Sequence, residues 1–363
     1  MPSFPASSDP RVAEPRVADP RLAELERWLN QLPALQSMAP VRLAPASSDA
    51  SFRRYFRVTP ASGSASGSAS DTPATSLIAM DAPPDKEDCR PFVRIAGLLA
   101  EAGLHVPEVL AQDLAQGFLL LSDLGQRTYL QALRSQAPDP LYRDAMAALV
   151  RLQAASRPDV LPPYDRALML RELQLLPEWY LQRQLQVTLT EAQQQQLQQV
   201  FDVLLENCLQ QPQVWVHRDY HSRNLMQTTP NPGVLDFQDA VYGPITYDLV
   251  SLLRDAYIQW EEAQELEWCI GYWESARKAG LPVRADFAEF YRDYEWMGAQ
   301  RQIKVVGIFA RLALRDGKQA YLDDQPQVLR LLLRTCRRYR ELAPLAALID
   351  ELLPQPTQTG MTF

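Results

Sequence analysis

The sequence lacks several things at once, and each absence removes a class of function. Its four cysteines, Cys89, Cys208, Cys269 and Cys336, lie far apart and form no C-x-x-C pair. Neither a zinc site nor a disulfide framework is signalled, and a reducing cytoplasm is the expected compartment. No apolar run approaches the roughly 20 residues that cross a bilayer, and the Pro-rich, charged N-terminus has no apolar stretch of the kind a signal peptide needs. A soluble, unexported protein with no membrane partner is expected. Positive charge is not in surplus either: 36 basic against 44 acidic residues leave a net charge of −8. No general field gathers nucleic acid or anionic lipid, so an anionic ligand must be handled locally. What is present is a chain of 363 residues, 47% of them hydrophobic, enough for one large core or two moderate ones. On oligomeric state the sequence is silent, and a monomer is the default expectation.

Along the chain, residues 1 to 20 carry the Pro-punctuated tandem RVAEP/RVADP and read as a disordered tail. From Arg21 to about Gln36, Leu22, Leu25, Trp28, Leu29 and Leu32 fall at helical spacing. SSDASFRRYFRVT (47–59) reads as a loop entering a strand, and the low-complexity ASGSASGSASDTPATS after it as a flexible insertion at about 60–75. SLIAM (76–80) resumes as a strand, 89–103 reads as a helix stopped by Gly103, and two apolar runs, PEVLA and GFLLLSDLG, follow. Residues 21–125 therefore form a small mixed β/α lobe. Beyond it, 127–136, 140–155, 166–183, 190–210, 245–279, 286–316 and 325–349 carry helical spacing, giving a mostly helical lobe over 126–349 and a tail at 350–363. One stretch interrupts it: residues 214–237, VWVHRDYHSRNLM, a polar turn and VLDF, read as short strands around loops.

That interruption carries the chemistry. His217, Asp219 and Asn224 stand in the order H-x-D-x-x-x-x-N, and Asp236 follows twelve residues after Asn224. Phosphoryl transfer needs one carboxylate to orient and deprotonate an acceptor hydroxyl, and oxygen ligands to hold Mg²⁺ against nucleotide phosphates. Asp219 suits the first role, Asn224 and Asp236 the second. Mg²⁺ keeps several waters, so no protein-only cage is required. His217 is assigned to loop support. His217 and His221 are four apart, but the segment is loop-like and no third soft ligand is near, so zinc is disfavoured.

At these residues the chain resembles the aminoglycoside phosphotransferase family, over roughly residues 40 to 320. The resemblance implies an α+β, two-lobed protein-kinase-like fold with ATP and Mg²⁺ as cofactors. It makes Asp219 the catalytic base, Asn224 and Asp236 the metal ligands, and Asp248 a brace of the catalytic loop from a following helix. LLSDLG becomes the hinge where adenine meets backbone at Ser122, Asp123 and Leu124. Within the family the resemblance narrows to bacterial anomeric kinases of N-acetylmuramate and N-acetylglucosamine in cell-wall recycling. It is carried by DASFRRYFRV, MDAPPDKED, LPEWYL, HRDYHSRNLM, LDFQDAVYGPITYDLVSLLRDAY and WMGAQRQIKVVGIFARLALRDGK. The implied reaction moves the γ-phosphate of ATP to the sugar's C1 hydroxyl.

Three positions depart from the family pattern. Met80 stands where a strand lysine usually holds the phosphates, and Arg53, Arg54, Arg57 and Lys86 are the cations that could replace it. Ser47, Ser48, Asp49, Ala50 and Ser51 replace the Gly-rich loop, with small side chains that still admit backbone amides to phosphate. Gln238 replaces the glycine of D-F-G.

On the acceptor side, Arg301, Lys304, Arg311 and Arg315 lie within roughly 80° on a helical wheel otherwise largely apolar. Such a stripe faces either solvent or acidic groups. A polycationic aminoglycoside would call for carboxylates, whereas an arginine suits the lactyl carboxylate of N-acetylmuramate. Arg301 is the candidate for that carboxylate, Asp255 for a sugar hydroxyl, Arg223 for a further substrate contact, and Trp179 for a stacking platform or an ordinary core residue. The rival readings are an antibiotic- or choline-directed phosphotransferase, which the basic helix disfavours, and a nucleotide-binding scaffold without activity, which intact Asp219, Asn224 and Asp236 oppose.

Overall fold

The computed structural model describes residues 19–38, 40–48, 52–61 and 76–353. Most of the expected tails and the Gly/Ser insertion, together with Ser51, lie outside these. The chain divides into two compact units, Met1–Cys89 with Val109–Asp123, and Arg90–Glu108 with Leu124–Phe363.

The first unit is an α-helix and a short 3₁₀ helix (Pro33–Met38) on an antiparallel sheet. Helix α1 (Pro20–Gln31) starts where Asp19 accepts from the backbone N–H groups of Arg21 and Leu22, with proline in its first turn. The sheet has strands β1 (Val41–Ser48), β2 (Arg54–Pro60), β3 (Leu77–Asp81), β4 (Val109–Asp113) and β5 (Phe118–Ser122), in the order β1-β2-β3-β5-β4. Leu25 and Leu29, one turn apart on α1, pack with Phe56, Val58, Ala79, Phe118 and Leu120. Each Leu, Val or Phe among these that is fully removed from water contributes about 1.5–3 kcal/mol. Strand β1 is not evident in the sequence because Pro45 interrupts it. The strand survives because it lies at the sheet edge and its register shifts between Pro45 and Ser47.

The second unit opens with α2 (Arg90–Glu101). The sequence reading grouped this helix with the small lobe, but it clusters with the helical unit. Its buried face of Phe92, Ile95, Ala96 and Leu99 explains why, with the Phe92 ring 4.9 Å from that of Phe237. Gly103 ends it in the left-handed region at φ 77°. There follow α3 (Tyr129–Ala132), α4 (Pro138–Ala154), α5 (Arg166–Leu173) and α6 (Glu191–Gln210). Next come the short strands β6 (Gln213–Val216), β7 (Leu225–Met226), β8 (Gly233–Val234) and β9 (Val241–Pro244). The unit ends with α7 (Tyr247–Leu253), α8 (Glu262–Lys278), α9 (Phe287–Asp316), α10 (Tyr321–Arg338) and α11 (Ala343–Leu352).

Three segments expected as single helices are broken. Pro177, which has no N–H to return to the ladder, lies where α5 gives way to a π-helical segment, Leu176–Gln184. Residues 245–279 divide into α7 and α8 where Asp255 turns its carboxylate to the backbone N–H of Tyr257 at 2.9 Å. Residues 325–349 divide into α10 and α11, with a proline in the first turn of the second.

Helix α9 organises the unit. It runs 30 residues from an Asp286 cap to a left-handed Gly317, and it is buried along most of its length. At Gly307 it touches the backbone of Leu175 so closely that an added Cβ would stand 2.4 Å from that carbonyl carbon. Against Gly298 of the same helix, Arg254 is fully buried between Glu265 at 2.5 Å and Glu295 at 3.1 Å, and donates to the Thr335 hydroxyl at 2.9 Å. This ties the end of α7 to α8, α9 and α10. Arg334 and Arg338 complete the set on the same two glutamates.

Candidate active site

Short-strand pairing brings the sequence-distant ligand candidates together. Leu225 pairs with Val234 and Met226 with Gly233. Extending that register by one step sets Asn224 opposite Leu235, whose N–H donates to the Asn224 carbonyl at 2.9 Å. Asp236 is the next residue. Its Oδ2 is 3.2 Å from Asn224 Nδ2, and its Oδ1 accepts from Gln238 Nε2 at 2.8 Å. The residue that replaces the family glycine thus holds the metal-ligand candidate in place. Asp236 sits at φ 63°, a conformation that Asp tolerates better than most residues.

Asp219 follows β6. Asn224 Nδ2 donates to its carbonyl at 3.0 Å, and its own N–H donates to His217 Nδ1 at 3.2 Å. Between them Arg218 is left-handed at φ 78°, a conformation costing about 1–3 kcal/mol unless its surroundings hold it. Two anions do so. Asp248 on α7 accepts from the backbone N–H of His217 at 2.6 Å and of Arg218 at 3.0 Å, while Glu172 on α5 pairs with the Arg218 guanidinium. Burial pushes the Asp248 carboxyl up to about 7, against those two N–H donors, which favour its ionised form. Burial also pushes the His217 imidazole down to about 4, so it is neutral at pH 7. Asp255 secures the second half of the loop by accepting from Ser222 N–H at 2.9 Å.

Beside Asp219 lies a cavity of about 120 Å³. Its polar wall is Asp219, His221, Arg301 and Lys304, and its apolar wall includes Val305, Ile308, Phe309 and Leu312. Tyr257 and Tyr321 add aromatic rings. Burial alone would raise the Asp219 carboxyl, but its positive surroundings, Lys304 foremost, outweigh it and hold that carboxyl below the usual carboxylate range. A group that stays ionised can accept a hydroxyl proton. Lys304 donates to the Tyr247 hydroxyl at 2.9 Å and lies 3.2 Å from Glu172 Oε1. Arg301 is only 5% exposed, and its Nε has no partner among the described residues.

The basic stripe on α9 therefore divides. Arg301 and Lys304 are buried at the cavity, Arg311 is half-buried, and Arg315 is exposed beside Asp316. Other expected contacts fall elsewhere. Asp255 does not line the cavity, because both its carboxylate oxygens face backbone donors. Trp179 does not line it either, and stacks with the Arg183 guanidinium 3.9 Å from its ring centroid. Arg223 lies over the Tyr257 ring at 3.4 Å, with Asp324 at 3.8 Å. Lys304, Tyr257, Phe309 and Tyr321 were not among the sequence candidates for substrate contact. Only Lys304 carried a usable signal, one turn after Arg301 on the basic stripe.

In the first unit Met80 is fully buried within β3. The cations that could replace the missing lysine are engaged: Arg54 with Asp19 and Asp81, Arg57 with Asp123 at 2.6 Å, and Arg53 with Glu87 at 3.3 Å. Lys86 is exposed, 3.5 Å from Asp85. Ser122 ends β5, Asp123 also accepts from the Ser76 hydroxyl, and Leu124, the first residue of the second unit's longer segment, is buried.

The donors on Asn224 and Asp236 are hard oxygens, one amide and one carboxylate. They are too few for a closed protein cage and fit an ion shared with phosphate oxygens, which is how Mg²⁺ is usually held. No cluster of three or more His, Cys, Asp or Glu that could cage an ion occurs among the described residues.

A sheet unit followed by a helical unit with an H-x-D-x-x-x-x-N loop defines a phosphotransferase. Residues 42–287 match the phosphotransferase enzyme family, and the chain belongs to it. It is 50% identical over 310 residues to the N-acetylmuramate/N-acetylglucosamine kinase of Pseudomonas putida, covering 85% of this chain and 88% of that protein. It is 49% identical over 348 residues to the protein of the same name from Neisseria meningitidis serogroup B, covering 94% and 98%. Among solved structures, a choline/ethanolamine kinase family protein of Mesorhizobium loti aligns with a TM-score of 0.57 at 16% identity, covering 91% of this chain and 99% of that one. A choline kinase of Cryptosporidium parvum aligns with a TM-score of 0.59 at 11% identity, covering 90% and 99%. These likenesses establish the α+β, protein-kinase-like fold. No helix among the described residues is long and apolar enough to cross a membrane.

Proposed function

We propose that this chain is an ATP- and Mg²⁺-dependent amino-sugar kinase that phosphorylates the C1 hydroxyl of N-acetylmuramate or N-acetylglucosamine. The observation that carries the reading is the cavity beside Asp219, whose base shares one wall with two buried cations, Arg301 and Lys304. Kanamycin-like polycations and choline would meet like charge there, whereas a sugar bearing a carboxylate would meet a partner. The high identity to relatives that bear the name of this activity points the same way.

Asp219 orients the C1 hydroxyl and takes its proton as the new O–P bond forms. The bond between the γ-phosphorus and the bridging oxygen breaks, and ADP leaves with that electron pair. Asn224 and Asp236 would hold Mg²⁺, which when bound neutralises phosphate charge. Arg301 receives the lactyl carboxylate. Tyr257 and Tyr321 line the sugar cavity in place of Trp179. On the nucleotide side, the proposed phosphate cation is one of Arg53, Arg54, Arg57 and Lys86.

The test is incubation with Mg-ATP and N-acetylmuramate, N-acetylglucosamine, kanamycin or choline in turn, followed by phosphorus NMR. A sugar 1-phosphate from either amino sugar is expected. Phosphorylation of kanamycin or choline alone would replace this reading. Asp219→Asn is expected to bind ATP normally and lose on the order of 10²-fold or more in turnover; near-wild-type turnover would remove Asp219 from its role.

A further inference from the structure

Lys304 is not accounted for by a carboxylate-binding role. It lies one turn beyond Arg301 on α9, is 7% exposed, and shares the cavity wall with Asp219. Its ammonium is fixed from two other helices, by Glu172 on α5 and the Tyr247 hydroxyl on α7. Glu172 is itself locked by Arg218, by the Tyr164 hydroxyl and by Gln300 Nε2 at 3.4 Å. An ammonium has three N–H bonds and no lone pair. Two are engaged, and the third is left for whatever fills the cavity. The wall thus presents, side by side, a group that only accepts, the Asp219 carboxylate, and a group that only donates.

An anomeric carbon is the complement of such a pair. Its hydroxyl can donate to the carboxylate, and the ring oxygen on the same carbon is an acceptor with no proton of its own. A hydroxyl on any other ring carbon has only hydroxyl, amide or ether-bearing neighbours across a further bond; a neighbouring hydroxyl can accept from the ammonium, but it keeps a proton that needs a second acceptor, which the ring oxygen does not. We infer that Lys304 is a specificity-determining residue that donates to the sugar ring oxygen, so that Asp219 and Lys304 together select the hemiacetal hydroxyl. The inference rests on the amino-sugar reading above and names the feature of the sugar that the site selects.

The experiment pairs a protein change with a substrate change. N-acetylglucosamine and its carbocyclic analogue, with a methylene in place of the ring oxygen, are compared for wild type and Lys304→Met by kcat/KM. Comparing the ratio between enzymes cancels the differing reactivity of the two hydroxyls. Loss of one charged hydrogen bond predicts that the preference for the sugar shrinks by on the order of 10- to 100-fold in Lys304→Met, while Lys304→Gln, which keeps an N–H donor, retains part of it. The KM for ATP is expected to stay unchanged. An identical ratio in wild type and Lys304→Met overturns the inference. Should Lys304→Met fail to fold, calorimetric affinities of wild type for the two compounds without nucleotide decide, since hydroxyl reactivity does not enter; equal affinities then overturn it. Wild-type enzyme that makes no sugar 1-phosphate would sink the kinase reading itself, and the inference with it.

Discussion

Replacing Arg301 by methionine separates the two amino sugars. The guanidinium is buried to 5% exposure, and its Nε has no partner among the described residues, so a carboxylate arriving there forms a charge-assisted hydrogen bond out of reach of bulk water. Such bonds contribute about 1.5–3 kcal/mol, or roughly 10- to 150-fold in kcat/KM at 1.4 kcal/mol per factor of ten. N-acetylglucosamine has no lactyl group and should lose little. Methionine fills similar length without charge, and removing a buried cation with an orphaned N–H should leave the melting temperature unchanged or raised. The assay is kcat/KM for both sugars on wild type and Arg301→Met, with ADP release as readout. The ratio of the two losses is the coupling to the carboxylate. Equal losses on both sugars would refute the reasoning and assign Arg301 to the transferred phosphoryl group or to the fold.

Three further outcomes are expected. Arg254→Met leaves Glu265 and Glu295 buried with fewer counter-charges and should cost about 3–5 kcal/mol in a urea titration; a loss under 1 kcal/mol, the value of a surface pair, would contradict the network's importance. Gly307→Ala drives a methyl to within 2.4–2.5 Å of Leu175 and should cost about 1–3 kcal/mol by thermal melting, whereas an unchanged melt would mean that the two helices separate easily. His217 is held near 4 in the fold against 6.5 for the free imidazole, so the unfolded chain binds its proton first as pH falls. The stability His217 gives as a neutral group is present above pH 6.5 and is lost on the way down to about 4; wild type should therefore lose about 3 kcal/mol more than His217→Gln over that window. Parallel pH profiles for the two proteins would mean that His217 is protonated inside the fold.

Much of this was legible in one dimension because the candidate residues lie on one short stretch. Asp219, Asn224 and Asp236 are picked out by spacing, and the β7–β8 register brings Asn224 and Asp236 side by side. Asp248 stands in the following helix and its carboxylate meets the loop backbone. The acceptor wall was less legible. The stripe on α9 shows four basic residues at one angle, but whether each faces water or protein depends on what packs against it. Glu172 and Tyr247, which decide the fate of Lys304, come from 132 and 57 residues earlier. Asp255 was expected at the sugar because an acidic residue after a helix reads equally as ligand or as brace, and only the donors facing it tell which. Strand β1 was hidden by Pro45, and the broken helices by side chains and prolines whose effect depends on context. Trp179 is half-buried under Arg183, and composition alone does not distinguish such a ring from a sugar platform.

The two aspartates that fasten the catalytic loop have a consequence for anyone who transplants it. Asp248 grips its entry and Asp255 its middle, and both come from the single short helix α7 and the turn behind it. A graft of the HRDYHSRN segment alone would arrive without either anchor, and Arg218 would relax out of its left-handed conformation. The smallest portable unit therefore runs from β6 through Tyr257 and still needs an acidic partner for Arg218 in the place of Glu172, so evolution or design should find it easier to exchange that block whole into a related helical unit than to rebuild it piece by piece.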